Sequence, residues 1–139
     1  MEKYLIDTDI LIDILKGKYG LDGKLNQVRL SNCYISEITL AELHFGLSNS
    51  SERLKHQSEP TLAAEYFKVV PITDVLELYG QEKARLKRQG DLLPDFDILI
   101  AVTAVHYGYI LVTGNTKHHQ RIENIVIENW RLKDYNDFA

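Results

Sequence analysis

The chain has 139 residues, enough for one domain with a sizeable core and too few for two, so 1–139 is read as a single domain. Its 45% hydrophobic and 26% charged residues are ordinary globular proportions and exclude disordered, collagen-like and coiled-coil classes. The formal charge of −4 excludes a uniformly basic nucleic-acid binder but leaves room for local basic patches.

Tyr4-Leu5-Ile6 reads as a short buried strand, and Asp7, just after it, stands where a secretory leader would be apolar. Asp7-Thr8-Asp9 supplies capping side chains for a helix through Ile10-Leu11-Ile12 and Ile14-Leu15, stopped by Gly17. Cys33-Tyr34-Ile35 is a second strand; as the lone cysteine, Cys33 rules out an internal disulfide scaffold or a Cys-based zinc site. Ser36 is the N-cap expected for a helix from Ile38 to Gly46. Pro60 divides the stretch 51–67 into two helical pieces.

Val69-Val70 is a third strand. Thr73 and Asp74 are expected to cap a helix through Leu78, Tyr79 and Leu86 to Gly90, Asp74 and Glu77 having capping-box spacing. Pro94-Asp95 opens another helix, from Ile98 to about Tyr107, closed by Gly108. Tyr109-Ile110-Leu111-Val112 is the clearest strand, and Ile125-Val126-Ile127 a last one. The best candidate for a membrane span, Ile98 to Val112, is broken by His106 and Gly108. Strands alternating with helices predict an α/β fold: a mostly parallel sheet of four or five strands with helices on both faces. A cytoplasmic protein is expected.

In such sheets ligands bind beyond the carboxyl ends of the strands, where strand order reverses. Asp7 and Asp9, Glu42, Asp97, and Thr113 with Asn115 all fall at that edge. Converging carboxylates repel, and either protonation or a divalent cation relieves them. Oxygen donors without Cys or paired His suit Mg²⁺ or Mn²⁺, and such an ion can polarise a phosphodiester and activate water. Asp is also the commonest of caps, and that reading serves Asp9, Asp74 and Asp95 better than catalysis does. Asp95 and Asp97 project roughly 200° apart on a helix, so only one can face the cleft. Glu42, inside a helix among Leu40, Ala41, Leu43 and Phe45, cannot be a cap; a solvated face is its other reading.

The segments Leu5–Asp13, Ser36–Leu47, Asp97–Ala101 and Leu111–Thr116 resemble, in order, the four signature blocks of PIN-domain ribonucleases, nearest to VapC-type toxins of toxin–antitoxin modules. Ile127-Glu128-Asn129-Trp130 is similar to the closing strand of that family. The resemblance implies a PIN-like fold and a Mg²⁺- or Mn²⁺-dependent endoribonuclease. Asp7, Glu42 and Asp97 take the positions of its metal-binding carboxylates. Asn115 stands where many members have a fourth acid and, bringing no charge, points to one firmly bound ion, with Asn115 orienting water or substrate. Thr8, Ser36 and Thr113 resemble the hydroxyl residues around the site, with capping and turn formation as their other role. His119 replaces a usual aromatic and is expected to pack, with His118 exposed.

The family also implies an RNA substrate, a homodimer and a small antitoxin partner, for which Leu43, Leu47 and Leu54 are groove candidates unless they belong to the core. Lys16 and Lys18, and Lys117 with Arg121, are the better phosphate contacts; Lys83 to Arg88 suit a helix C-terminus. Two other readings compete. Asp7-Thr8-Asp9 and Val112-Thr113 fit a haloacid dehalogenase-type phosphatase with Asp7 as nucleophile and Asp9 as acid/base, which leaves Glu42 and Asp97 idle. A non-catalytic RNA- or protein-binding domain is motivated by Asn115.

Overall fold

The computed structural model describes residues 1–131. Five strands, β1 (Tyr4–Ile6), β2 (Cys33–Ser36), β3 (Lys68–Val70), β4 (Ile110–Val112) and β5 (Ile127–Glu128), form one sheet in the order β3-β2-β1-β4-β5, every pair parallel. Short apolar strands are expected when both faces of a parallel sheet are covered, and alternate side chains enter two separate cores. Tyr4, Ile6, Cys33, Ile35, Ile110 and Val112 meet the helices α1 (Thr8–Leu15), α2 (Leu21–Val28), α3 (Glu37–Asn49) and α5 (Glu59–Tyr66) on one face. Leu5, Val70 and Leu111 meet α6 (Leu76–Gln89) and α7 (Asp95–Tyr107) on the other. The remaining helices, α4 (Arg53–His56) and α8 (Thr116–His119), are single turns.

Chain order runs outward from β1 through β2 to β3, then crosses to β4 and β5 on the opposite side. The reversal therefore lies between β1 and β4, and residues just beyond Ile6 and Val112 flank it. Glycines at positive φ close three of the expected helices: Gly17 (φ 69°), Gly90 (φ 73°) and Gly108 (φ 70°), where a side chain would be strained.

Two expectations about the elements need correction, and one helix was not expected. The capping box at Asp74 and Glu77 does not form: residues 73–75 make a 3₁₀ turn, α6 starts at Leu76 without a side-chain cap, and Asp74 Oδ2 instead lies 3.5 Å from the Tyr107 hydroxyl. The last strand is Ile127–Glu128, not 125–127, because it pairs with Leu111 and Val112 while Val126 turns to solvent. Helix α2 was not anticipated; it starts at Leu21 after Gly20, which offers no side-chain cap, and buries only Leu21 and Leu25, too narrow a stripe to stand out.

Candidate active site

Asp7 is the N-cap of α1 and follows β1 directly. Its Oδ1 accepts from the Thr8 amide at 2.8 Å, and its Oδ2 accepts from the Thr113 hydroxyl at 2.8 Å. Thr113 follows β4, so this bond spans the point where strand order reverses. Asp7 is buried. Burial first, and the neighbouring Asp9 charge second, push its pKa from 3.8 up to about 6, while His119, Thr113 and the Thr8 amide pull it down.

Glu42 lies on the second turn of α3 and is half-buried. Its Oε1 accepts from the Thr8 hydroxyl at 2.7 Å. Thr8 has one proton to give, so the 3.0 Å contact between the Thr8 and Thr39 hydroxyls has Thr39 as donor. Burial raises the Glu42 pKa, and the charges of Asp97 and Asp9 raise it further against the Thr8 hydrogen bond. Asp97, half-buried in the first turn of α7, thus shares an electrostatic field with Glu42, although it comes from the opposite face of the sheet. Helix α3 approaches from one layer and α7 from the other, and only the strand ends between them let the acids meet.

Asp9, expected to cap, does not: Asp7 holds that position. The Asp9 carboxylate accepts from Ile10 N at 2.8 Å and, across the cleft, from Gly114 N at 2.9 Å, and it lies 3.5 Å from Arg131 Nη1. Asp95 pairs with Lys83 at 2.8 Å and accepts from the Tyr79 hydroxyl, again not as a cap. Ser36 does cap α3, accepting from Ile38 N at 3.0 Å.

Asn115 joins this wall through its backbone. Its amide donates to Thr113 Oγ1 at 3.0 Å, and its carbonyl accepts from His119 Nδ1 at 2.9 Å. Its side-chain nitrogen lies 2.8 Å from His118 Nδ1, so His118 is half-buried and engaged rather than exposed. His119 packs as expected, 1% exposed, but with Nδ1 donating to a carbonyl its Nε2 is buried without a hydrogen-bond partner, 3.8 Å from Asp7 Oδ2.

The cations sort by geometry. Lys83 and Arg85 are engaged within the fold by Asp95 and Glu82, whereas Lys16, Lys18, Lys117 and Arg121 are exposed. Asp13 and Arg131 are polar residues that sequence reasoning missed, and Asp9 was read as a cap. The available signal was the spacing of Asp9 and Asp13, four apart and so on one helical face.

Among the described residues, no three His, Cys, Asp or Glu side chains close into a ready-made metal cage. The donor set nonetheless fits a hard dication. Asp7 and Glu42 offer oxygen, burial and neighbouring acids raise the energy of both charges, in Asp7 against the opposing pull of His119, and Mg²⁺ needs only one or two carboxylates because it keeps waters.

The sequence model of the PIN domain matches residues 4–124. The chain belongs to the PIN-domain family. PIN-domain relatives include Ribonuclease VapC2 of Rickettsia felis, 30% identical over 91% of this chain and 97% of that protein. The tRNA(fMet)-specific endonuclease VapC of Shigella flexneri is 33% identical over 94% and 99%. Among solved structures, VapBC2 of Rickettsia felis bound to a promoter DNA fragment superposes with a TM-score of 0.83, 30% identity and 91% and 98% coverage. DNA-bound VapBC of Salmonella typhimurium gives 0.84, with 29% identity and 94% and 99% coverage. Within this PIN fold the phosphatase reading fails, because Asp9, its required acid/base, is held by Gly114 N and Arg131.

Proposed function

We propose that this PIN-domain protein is a Mg²⁺- or Mn²⁺-dependent endoribonuclease, the toxin of a toxin–antitoxin pair acting in the cytoplasm. The observation that carries the reading is the Thr113–Asp7 hydrogen bond across the β1/β4 reversal, beside two further acids, Glu42 and Asp97, whose fields overlap. Asp7, Glu42 and Asp97 would hold the ion, which when bound supplies Lewis acidity to the phosphate and counter-charge to the acids.

The chain's own groups do the rest. Thr113 and the Thr8 amide fix both oxygens of Asp7, and the Thr8 hydroxyl fixes Glu42, so the carboxylates are oriented before substrate arrives. Asn115 sits at the mouth of β4 to orient water or RNA. Lys16, Lys18, Lys117 and Arg121 contact phosphates. Transfer RNA is the first substrate to test, since the Shigella flexneri relative is named for cleaving it.

An antitoxin fits the solved VapBC complexes. Leu43, one groove candidate, lies in the core, while Leu54 is exposed. An apolar groove of about 360 Å³ lies between Ile14, Leu25, Leu30, Tyr66 and Phe67. A homodimer is part of the proposal and is read by analytical ultracentrifugation.

The deciding experiment incubates wild type, Glu42→Gln and Asp97→Asn with tRNA in Mn²⁺ or EDTA and sequences the new RNA ends. Cleavage by wild type in Mn²⁺ only, lowered by roughly two orders of magnitude in either variant with little change in Tm, is expected. Equal activity in Asp97→Asn removes that residue from the site. RNA binding without cleavage by wild type leaves the non-catalytic reading.

A further inference from the structure

Asp9 and Asp13 are one helical turn apart, so α1 stacks their carboxylates on one side. Arg131, 118 positions beyond Asp13 in the chain, bridges the two. Its Nε donates to Asp13 Oδ2 at 2.6 Å, its Nη1 lies 3.5 Å from Asp9 Oδ2, and its Nη2 donates to the Asp9 carbonyl at 3.4 Å. Asp13 is buried, and the Tyr19 ring lies 5.8 Å from the guanidinium carbon.

On its other side, the same Asp9 Oδ2 accepts from Gly114 N, between Thr113 and Asn115. A Cβ on Gly114 would overlap the Arg131 guanidinium and stand 2.8 Å from Asp9 Oδ2. Three groups thus converge, so that a Cβ on Gly114 would have to displace the Arg131 and Asp9 side chains: a cation from beyond β5, a carboxylate from α1 and an amide from the loop after β4.

We infer that Arg131 is a positioning residue of the nuclease site. It neutralises Asp9 and so holds that carboxylate on the Gly114 amide, which keeps Thr113 against Asp7. The inference rests on the ribonuclease reading above. Physically, Asp9 faces Asp7 and Glu42 with the same charge. Without the guanidinium, repulsion and hydration draw Asp9 toward water, and the tie between the β1–α1 and β4–α8 junctions is lost. Because the Thr113 hydroxyl sits one residue from Gly114, its 2.8 Å bond to Asp7 loosens with that tie. Arg131 acts through Asp9 and touches no reacting atom.

The test is a double-mutant cycle with kcat and KM for RNA cleavage, and native-state hydrogen exchange at the Gly114 amide, measured on the full chain. Arg131→Met is expected to lower kcat about ten- to a hundredfold at unchanged KM and to speed Gly114 exchange. Arg131→Lys, keeping the charge but not the fork, falls between. In an Asp9→Asn background, which still offers Gly114 an acceptor but has no charge to neutralise, adding Arg131→Met changes kcat less than about threefold.

Arg131→Met with wild-type kcat and a protected Gly114 amide overturns the proposal. So does an equal loss in both backgrounds, which is what a purely structural ion pair gives. If Arg131→Met does not fold because buried Asp13 is left unpaired, the cycle is run with Asp13→Asn in every variant, and an equal loss of kcat in both backgrounds there also overturns the proposal. Absence of cleavage by wild type strikes the ribonuclease reading instead, and Gly114 exchange still reads the clamp.

Discussion

Ionised Asp7 destabilises the free protein, because burial and the nearby Asp9 charge raise its pKa to about 6 from the ordinary carboxylate range. Below about pH 4 the group is neutral folded and unfolded, and there is no penalty. As the pH rises through 6 the folded state must ionise a carboxyl the unfolded chain has already ionised, and stability falls. Asp7→Asn removes that penalty and keeps a good N-cap residue. It is therefore expected to be more stable than wild type at pH 7.5 without divalent ions, by on the order of 2 kcal/mol, the gain vanishing near pH 4. Thermal denaturation across pH in EDTA checks this. A lower Tm for Asp7→Asn at pH 7.5 would mean that some group already compensates the charge. Adding Mn²⁺ should raise the Tm of wild type and not of the variant.

Elements whose signals are local were legible from residue order. Buried strands announced themselves as apolar triplets, Gly90 and Gly108 closed helices where the chain needs positive φ, and Ser36 capped α3. Signals that depend on tertiary partners were not. Asp74 had capping spacing but faces Tyr107, Asp9 had capping chemistry but bonds a loop 105 positions away, and Arg131 carried no pattern until β5 delivered it to α1. Of the candidate site, Asp7 was picked out by its place directly after a strand although it also caps α1, and Glu42 by lying inside an apolar helix; the hydroxyls that orient them could not be told from caps.

Glu82 belongs to the tertiary kind. It is 6% exposed, takes two bonds from Arg85 at 2.7 and 2.8 Å and one from Glu123 N at 3.1 Å. Arg85 donates onward to the Arg121 carbonyl, so the pair ties α6 to the segment after α8. The Arg85 bonds hold the Glu82 pKa below its ordinary value, so its contribution is present above the usual glutamate range and lost as the pH falls. Glu82→Gln should cost about 2 kcal/mol at pH 7 by urea denaturation, the partial exposure of Arg85 tempering the buried-pair figure, and much less at pH 3.

A chain with net charge −4 that acts on RNA must separate its charges in space. The acids gather at the strand ends, where Asp9 acts on both Asp7 and Glu42 and Asp97 acts on Glu42, while Lys16, Lys18 and Lys117 are exposed on the segments that follow. Lys117 lies on α8, directly after β4, and Lys16 and Lys18 follow α1, a helix of eight residues, about 12 Å long. If these three lysines each neutralise one phosphate of a single strand, replacing all of them with alanine lowers the slope of log K against log salt by about 2. Binding of single-stranded RNA to the Asp97→Asn background, measured from low to moderate salt, reads that slope free of cleavage. Lys87→Ala with Arg88→Ala is the comparison, since those cations complement the C-terminal dipole of α6 and should leave the slope unchanged. An unchanged slope in the triple variant would move the RNA path to another face. The expected loss of slope would mean that the acidic cleft is entered along a line of cations that the net charge conceals.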